Sequence, residues 1–115
     1  MRTRVTRSVA FEAAHQLPWH PGTCRRLHGH HYRFEVTVEG PLDENGIVLD
    51  FDVLDEVVRR EIVERYDHRY LNDLMDNPTA ELIAGAAWKQ LEAAGLQLAG
   101  LRLWETPDSS VELLP

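Results

Sequence analysis

The chain has 115 residues, 43% of them hydrophobic and 27% charged, with a formal net charge of −7. That length suits one domain with a modest core, and the acidic balance excludes a nucleic-acid binder working through a basic face. No apolar run approaches the ~20 residues of a membrane helix and no leader pattern opens the chain, so a cytoplasmic protein is expected.

Thr3 to Phe11 alternate, with Thr3, Val5, Val9 and Phe11 in one register, and predict a first strand broken in pattern by Arg7. Ala13 to Leu27 carries Pro18, Pro21 and Gly22 and predicts a long irregular loop, which in a compact domain is usually functional. His28 to Glu39 alternates strictly. Its first face reads His28, His30, Tyr32, Phe34, Val36, Val38, and its second reads His31, Arg33, Glu35, Thr37, Glu39. Gly40-Pro41 and Asp43-Glu44-Asn45-Gly46 supply turn chemistry, so Ile47-Val48-Leu49 reads as a third strand antiparallel to the second. Asp50 or Asp52 caps a helix to about Tyr66, its repeat marked by Leu54, Val57, Val58, Ile62 and Arg65. Thr79 caps a second helix with a stripe of Leu82, Ile83, Ala86, Ala87, Gln90 and Leu91, ended by Gly95. Gln97 to Thr106 gives a fourth strand, with Ala99, Leu101, Leu103 and Glu105 on one face. The expected fold is α+β: a four-stranded antiparallel sheet with two antiparallel helices on one face, its polar face left to water or a neighbour.

Five of the six histidines fall between positions 15 and 31. His28 and His30 share the apolar face of their strand, where two adjacent imidazoles are costly without a common ligand. With His15 upstream they form a candidate catalytic metal site: three neutral imidazoles and one open position. His20 and His31 read as packing or surface residues. Cys24 is the one cysteine and precludes an internal disulfide. It is a small buried hydrophobe, a fourth ligand closing a structural site, or a thiolate base beside the metal with Arg25 or Arg26 lowering its pKa. Asp67-His68 forms an acid–imidazole pair only if a turn, or a subunit boundary, brings the two together. Glu105 stands on an apolar register and requires a partner, either an arginine or the N–H edge of a purine- or pterin-like ring.

The segments Phe11-Glu12-Ala13-Ala14-His15, Cys24-Arg25-Arg26-Leu27-His28-Gly29-His30, Asp50-Phe51, Asp67-His68-Arg69-Tyr70-Leu71-Asn72, Asn77-Pro78-Thr79-Ala80-Glu81 and Glu105-Thr106 follow one another along the chain. In that order they resemble the 6-pyruvoyl-tetrahydropterin synthase / 6-carboxytetrahydropterin synthase family over nearly the whole length. The resemblance implies the tunnelling (T-) fold, in which sheets from three subunits join into a barrel and two trimers stack as a hexamer. It implies zinc on His15, His28 and His30, Cys24 as base, Asp67 and His68 completing a proton relay, and Glu105 with Thr106 at the pterin ring. The implied substrate is 7,8-dihydroneopterin triphosphate, with Arg25 and Arg26 as phosphate cations by position only. The favoured product is 6-carboxytetrahydropterin with acetaldehyde, on the route to deazapurines such as queuosine. The alternatives are the pyruvoyl product, aldol cleavage of a dihydroneopterin, and a non-catalytic metal- or purine-binding oligomer. Two departures stand out: only Pro107 to Pro115 follow the Glu-Thr element, and Leu82 replaces an asparagine common after Glu81.

Overall fold

The computed structural model describes residues 1–115. Its strands are β1 (Arg4–His15), β2 (His28–Glu39), β3 (Arg69–Tyr70), β4 (Leu98–Thr106) and β5 (Ser109–Leu113). They form one sheet in the order β3-β1-β2-β4-β5, with β1 and β3 parallel and the other pairs antiparallel. The helices are α1 (Phe51–Val58), continued through a wide π-helical turn (Arg59–Val63) into α2 (Glu64–Tyr66), and α3 (Ala80–Ala93). The α+β class stands, with five strands in place of the four expected.

The third strand expected at Ile47–Leu49 does not form. Both edges of β2 are already taken, one by β1 and one by β4, so the hairpin partner has no free ladder to join. The turn before it is real: the Asp43 carboxylate accepts from the Asn45 N–H at 2.8 Å, and Gly46 takes φ +82°. Val48 and Leu49 instead pack irregularly against the core. The first strand also runs four residues past its expected end, taking Ala13, Ala14 and His15 out of the loop and into the ladder.

The apolar sheet face (Val9, Phe11, Ala13, Tyr32, Phe34, Val36, Val38, Leu101, Leu103) packs against both helical segments. Along the first, the buried residues are Leu54, Val58, Ile62 and Tyr66, a strict four-residue spacing. Each such step overshoots a turn of a regular helix by about 40°. The wide turn at Arg59–Val63 absorbs that drift and keeps all four on the sheet, while Arg65 turns outward to Glu61 at 2.9 Å. In α3 the buried stripe is Ala80, Ile83, Ala84, Ala87 and Leu91; Leu82, expected inside, is 52% exposed. Thr79 caps α3 by accepting from the Leu82 N–H, and Gly95 ends it at φ +98°.

Phe11 is the centre of the aromatic core, stacked at 5.2 Å on Tyr32 and 5.8 Å on Phe34 and tilted against Tyr66 at 5.7 Å. Phe11→Ala removes contacts to sheet and helix at once, and a loss of about 3–5 kcal/mol is expected, read as a lower urea midpoint. A change below about 1 kcal/mol would show that this cluster does not organise the core.

Candidate metal centre and active site

The long antiparallel pairing of β1 and β2 sets His15 directly opposite His28 and Ala13 opposite His30. All three imidazoles therefore emerge on one face at one end of the sheet, and the methyl of Ala13 leaves room for the His30 ring. Their ring centroids lie 4.5–5.1 Å apart, mutually edge-on. One nitrogen from each converges, all within 4.8 Å of one another.

Backbone carbonyls decide which nitrogen is free. His15 Nδ1 lies 2.8 Å from the Pro78 carbonyl and His28 Nδ1 lies 2.7 Å from the Arg26 carbonyl. In each neutral ring the N–H sits on Nδ1, and the lone pair sits on Nε2. Those two Nε2 atoms face each other at 2.9 Å, lone pair against lone pair. A shared proton would relieve that pair, but it would leave His30 Nε2, which is buried with no hydrogen-bond partner. The Glu105 carboxylate lies 3.4 Å from His30 Nε2, in ion-pair range yet not aligned to accept a hydrogen bond. A metal ion satisfies all three nitrogens together, with the Nδ1 carbonyl contacts as its outer support. His15 is fully buried beneath the cluster, and the Tyr32 hydroxyl lies 3.4 Å from its Nδ1.

The surroundings of His30 favour its neutral form. Burial pushes the His30 imidazole below its ordinary value; Glu105 opposes that shift, and the neighbouring His15 and His28 add to it. Burial, and then the Glu105 charge, push the Tyr32 phenol upward, keeping it protonated.

Two cavities flank His30 and share Gly29, His30 and His31 as walls. The larger, about 430 Å³, is walled by Trp104, Glu105, Thr106 and Arg33. Glu105 reaches it through a bulge: Trp104 pairs with Ser110 and Thr106 with Ser109, so Glu105 is the unpaired extra residue of β4. Alternation with Leu101 and Leu103 puts Glu105 on the face of His30, and the bulge breaks its pairing with β5. The second cavity, about 390 Å³, is walled by Glu12, Ala13, Ala14, His68 and Arg69.

Asp67 and His68 do meet within one chain. His68 adopts φ 57°, a left-handed conformation uncommon outside glycine, and its Nδ1 comes to 2.9 Å from the Asp67 carboxylate. The turn is clamped to β1, because the Glu12 N–H donates to Asp67 and the His68 N–H donates to the Glu12 carbonyl. The Glu12 amide, and then His68, hold the Asp67 carboxyl below the usual carboxylate range.

Cys24 sits half-buried in a short 3₁₀ turn, Thr23–Arg25, whose base is closed by the Leu17 N–H donating to the Cys24 carbonyl at 2.9 Å. Its thiol is outside the converging donor set, which removes the fourth-ligand reading and leaves the site with three protein donors. Arg25 and Arg26 are exposed on the same turn and wall neither cavity. His20 is a local turn residue accepting from the Gly22 N–H, and His31 pairs with Glu12 on the outer face.

Several supporting residues carry no sequence signal of their role. The carbonyls of Pro78 and Arg26 are backbone atoms, which any residue type supplies. Asn72 brackets Gln16 through both its amide groups, and Asn77 accepts from the Trp19 indole at 2.8 Å; together they pin the loop after β1.

The family model described as 6-pyruvoyl tetrahydropterin synthase matches residues 4–115. The chain belongs to this family. It is 42% identical over 99 residues to a 6-carboxy-5,6,7,8-tetrahydropterin synthase of Synechocystis, spanning 80% of this chain and 77% of that one. It is 38% identical over 119 residues to a dihydroneopterin monophosphate aldolase of Pyrococcus furiosus, spanning 98% of both. Its fold superposes on the 6-pyruvoyl tetrahydropterin synthase of Caenorhabditis elegans with a TM-score of 0.87, at 22% identity, covering 100% of this chain and 96% of that one. The chain thus has the family's T-fold, and the histidine cluster is its candidate metal centre.

Two outcomes are expected. The purified protein should hold about one divalent ion per chain by elemental analysis, and His28→Ala should hold almost none while keeping its circular dichroism. Asp67 has a depressed folded-state pKa, so its contribution is present above its unfolded value of about 4 and is lost as pH falls through the lower folded value. Urea midpoints measured across the acid range should therefore fall more steeply for the wild type than for Asp67→Asn; parallel curves would contradict the Asp67–Glu12 clamp.

Proposed function

We propose that this chain is a zinc-dependent 6-carboxy-5,6,7,8-tetrahydropterin synthase, taking 7,8-dihydroneopterin triphosphate and water to 6-carboxytetrahydropterin, acetaldehyde and triphosphate. The observation that carries the reading is the three-imidazole centre whose His30 lines two cavities, one bearing Glu105 and the other His68. The Synechocystis relative and the family match support the pterin lyase chemistry. Zinc suits three neutral imidazoles with a position left for a substrate oxygen. When bound, the ion supplies Lewis acidity, polarising the substrate's side-chain hydroxyls and acidifying the neighbouring C–H and O–H groups.

The chain's own residues do the rest. His15, His28 and His30 hold the ion, and the Pro78 and Arg26 carbonyls keep two of the rings in the right tautomer. Glu105, on the wall of its cavity at the β4 bulge, accepts from the N–H edge of the pterin ring, with Thr106 beside it. Cys24 as thiolate takes a proton from the substrate's carbon chain, and His68, held by Asp67, returns or removes one at the neighbouring oxygen. Cys24 walls neither cavity, so a relay joining Cys24 of one subunit to Asp67 and His68 of another suits a barrel of three subunits, two of which stack as a hexamer. Joining subunits through β3 and β5 would also cover the edge strands a lone chain leaves open. The setting is deazapurine synthesis in the cytoplasm.

A second reading is favoured by the Pyrococcus furiosus relative, which aligns over 98% of both chains. On that reading the same centre cleaves the side chain of dihydroneopterin monophosphate by a retro-aldol step, releasing a phosphorylated two-carbon aldehyde. Incubation of the zinc-loaded protein with each phosphate ester, with pterin and aldehyde products identified by mass, separates the two. Acetaldehyde with 6-carboxytetrahydropterin supports the synthase; a phosphorylated aldehyde supports the aldolase; zinc-loaded protein that turns over neither sinks both. Cys24→Ala should lower turnover by roughly 10²-fold or more while zinc content holds, and unchanged turnover would remove the thiol from the proton relay.

A further inference from the structure

Eight of the eleven arginines are engaged in ion pairs, each with an Asp or Glu within 3.4 Å. The three without one are Arg25, Arg26 and Arg69. In a chain of net charge −7, with acidic groups in excess, an arginine left without a partner is the exception. All three stand at the histidine end of the molecule. Arg25 and Arg26 precede His28, and Arg69 follows His68. Only Arg69 walls a cavity that also touches a metal-site histidine.

The surroundings of Arg69 leave its charge uncompensated. Of the other charged or ionisable groups on that cavity, Glu12 is held against His31 and His68 against Asp67. His30 turns its free nitrogen toward the metal centre. The backbone of Arg69 is fixed, because β3 pairs Arg69 with Ala13 of β1, two residues from His15. The two cavities share Gly29, His30 and His31 as walls, so Glu105 stands on one side of His30 and Arg69 on the other. A substrate with its ring at Glu105 and its carbon chain at His30 would extend its far end toward Arg69.

We propose that Arg69 is the phosphate-binding residue of this site, holding the anionic tail of a phosphorylated pterin through its guanidinium. A planar guanidinium offers two parallel N–H donors that match a phosphate edge. This assigns the subsite to Arg69 in place of Arg25 and Arg26, and it rests on the pterin-lyase reading given above. It holds for the triphosphate and the monophosphate ester alike, since both end in the same ligand chemistry.

The test compares zinc-loaded wild type, Arg69→Gln, Arg69→Lys and Arg60→Gln. Arg60 pairs with Glu61 on the helical segment away from both cavities and serves as the control for loss of one positive charge. Steady-state kinetics are measured with dihydroneopterin triphosphate and its monophosphate, and unphosphorylated dihydroneopterin, which has no phosphate to lose, is measured as a competitive inhibitor. Arg69→Gln should raise KM for the triphosphate about tenfold or more, raise it less for the monophosphate, and leave the inhibition constant of the unphosphorylated compound unchanged. Arg69→Lys should recover part of the loss, and Arg60→Gln should match wild type. An equal effect of Arg69→Gln on all three compounds, or none on any, overturns the proposal. Binding of inorganic triphosphate, followed calorimetrically at fixed free zinc, provides an arm that needs no turnover. Weaker binding by Arg69→Gln than by wild type and Arg60→Gln supports the subsite even if every pterin proves inert, and equal binding overturns it.

Discussion

The ladder between β1 and β2 is the constraint on which the site depends. Its unbroken register places His15 across from His28 and Ala13 across from His30. A slip of one residue in either strand would carry its imidazoles to the opposite face and end the convergence. The register is held in turn by the aromatic stack of Phe11 on Tyr32 and Phe34, which lies on the same face a few residues along the same two strands. Core packing and metal geometry are therefore two ends of one ladder.

The centre also conflicts with ordinary core chemistry, and the fold resolves that conflict in stages. Three imidazoles at a core edge bring unpaired lone pairs together, which an apolar environment penalises. Two of the rings are steered by carbonyls from different parts of the chain, Pro78 before α3 and Arg26 before β2. Local irregularities accompany both acid–imidazole contacts: the β4 bulge leaves Glu105 unpaired beside His30, and the left-handed φ of His68 folds its ring back onto Asp67. Both irregularities lie next to the cavities, where backbone in uncommon conformations tends to be functional.

The strands were legible wherever one face was apolar throughout. β2 follows its alternation to the residue, because a period of two on a half-buried ladder admits one reading. Elements whose formation depends on a distant partner were not legible. Ile47–Leu49 has strand composition but finds β2 flanked on both sides, and the two-residue β3 exists only because β1 offers Ala13 and Ala14 an unpaired edge. Leu82 fits a helical repeat equally well inside or outside; the position of the sheet, which selects Ala80, Ile83, Ala84, Ala87 and Leu91, puts it outside. The prolines after Leu17 suggested a loop from Ala13 onward, whereas β2 extends far enough to draw Ala13 to His15 into the ladder.

By itself, the order of residues determined the fold class, the apolar face of β2, the candidate ligands His15, His28 and His30, and the family to which these segments point. Those features depend on residue type and short-range spacing, which a chain carries before it folds. Tertiary structure alone decided that His15 lies on a strand, that Cys24 stands outside the donor set, that Glu105 turns to His30, and that Arg69 is left without an acidic partner beside a cavity. Each of these is a relation between groups distant in the chain, set by ladder register and by which carbonyls and carboxylates the packed elements bring near. Local sequence cannot encode such relations, because the free energy that fixes them is spread over the whole packed core.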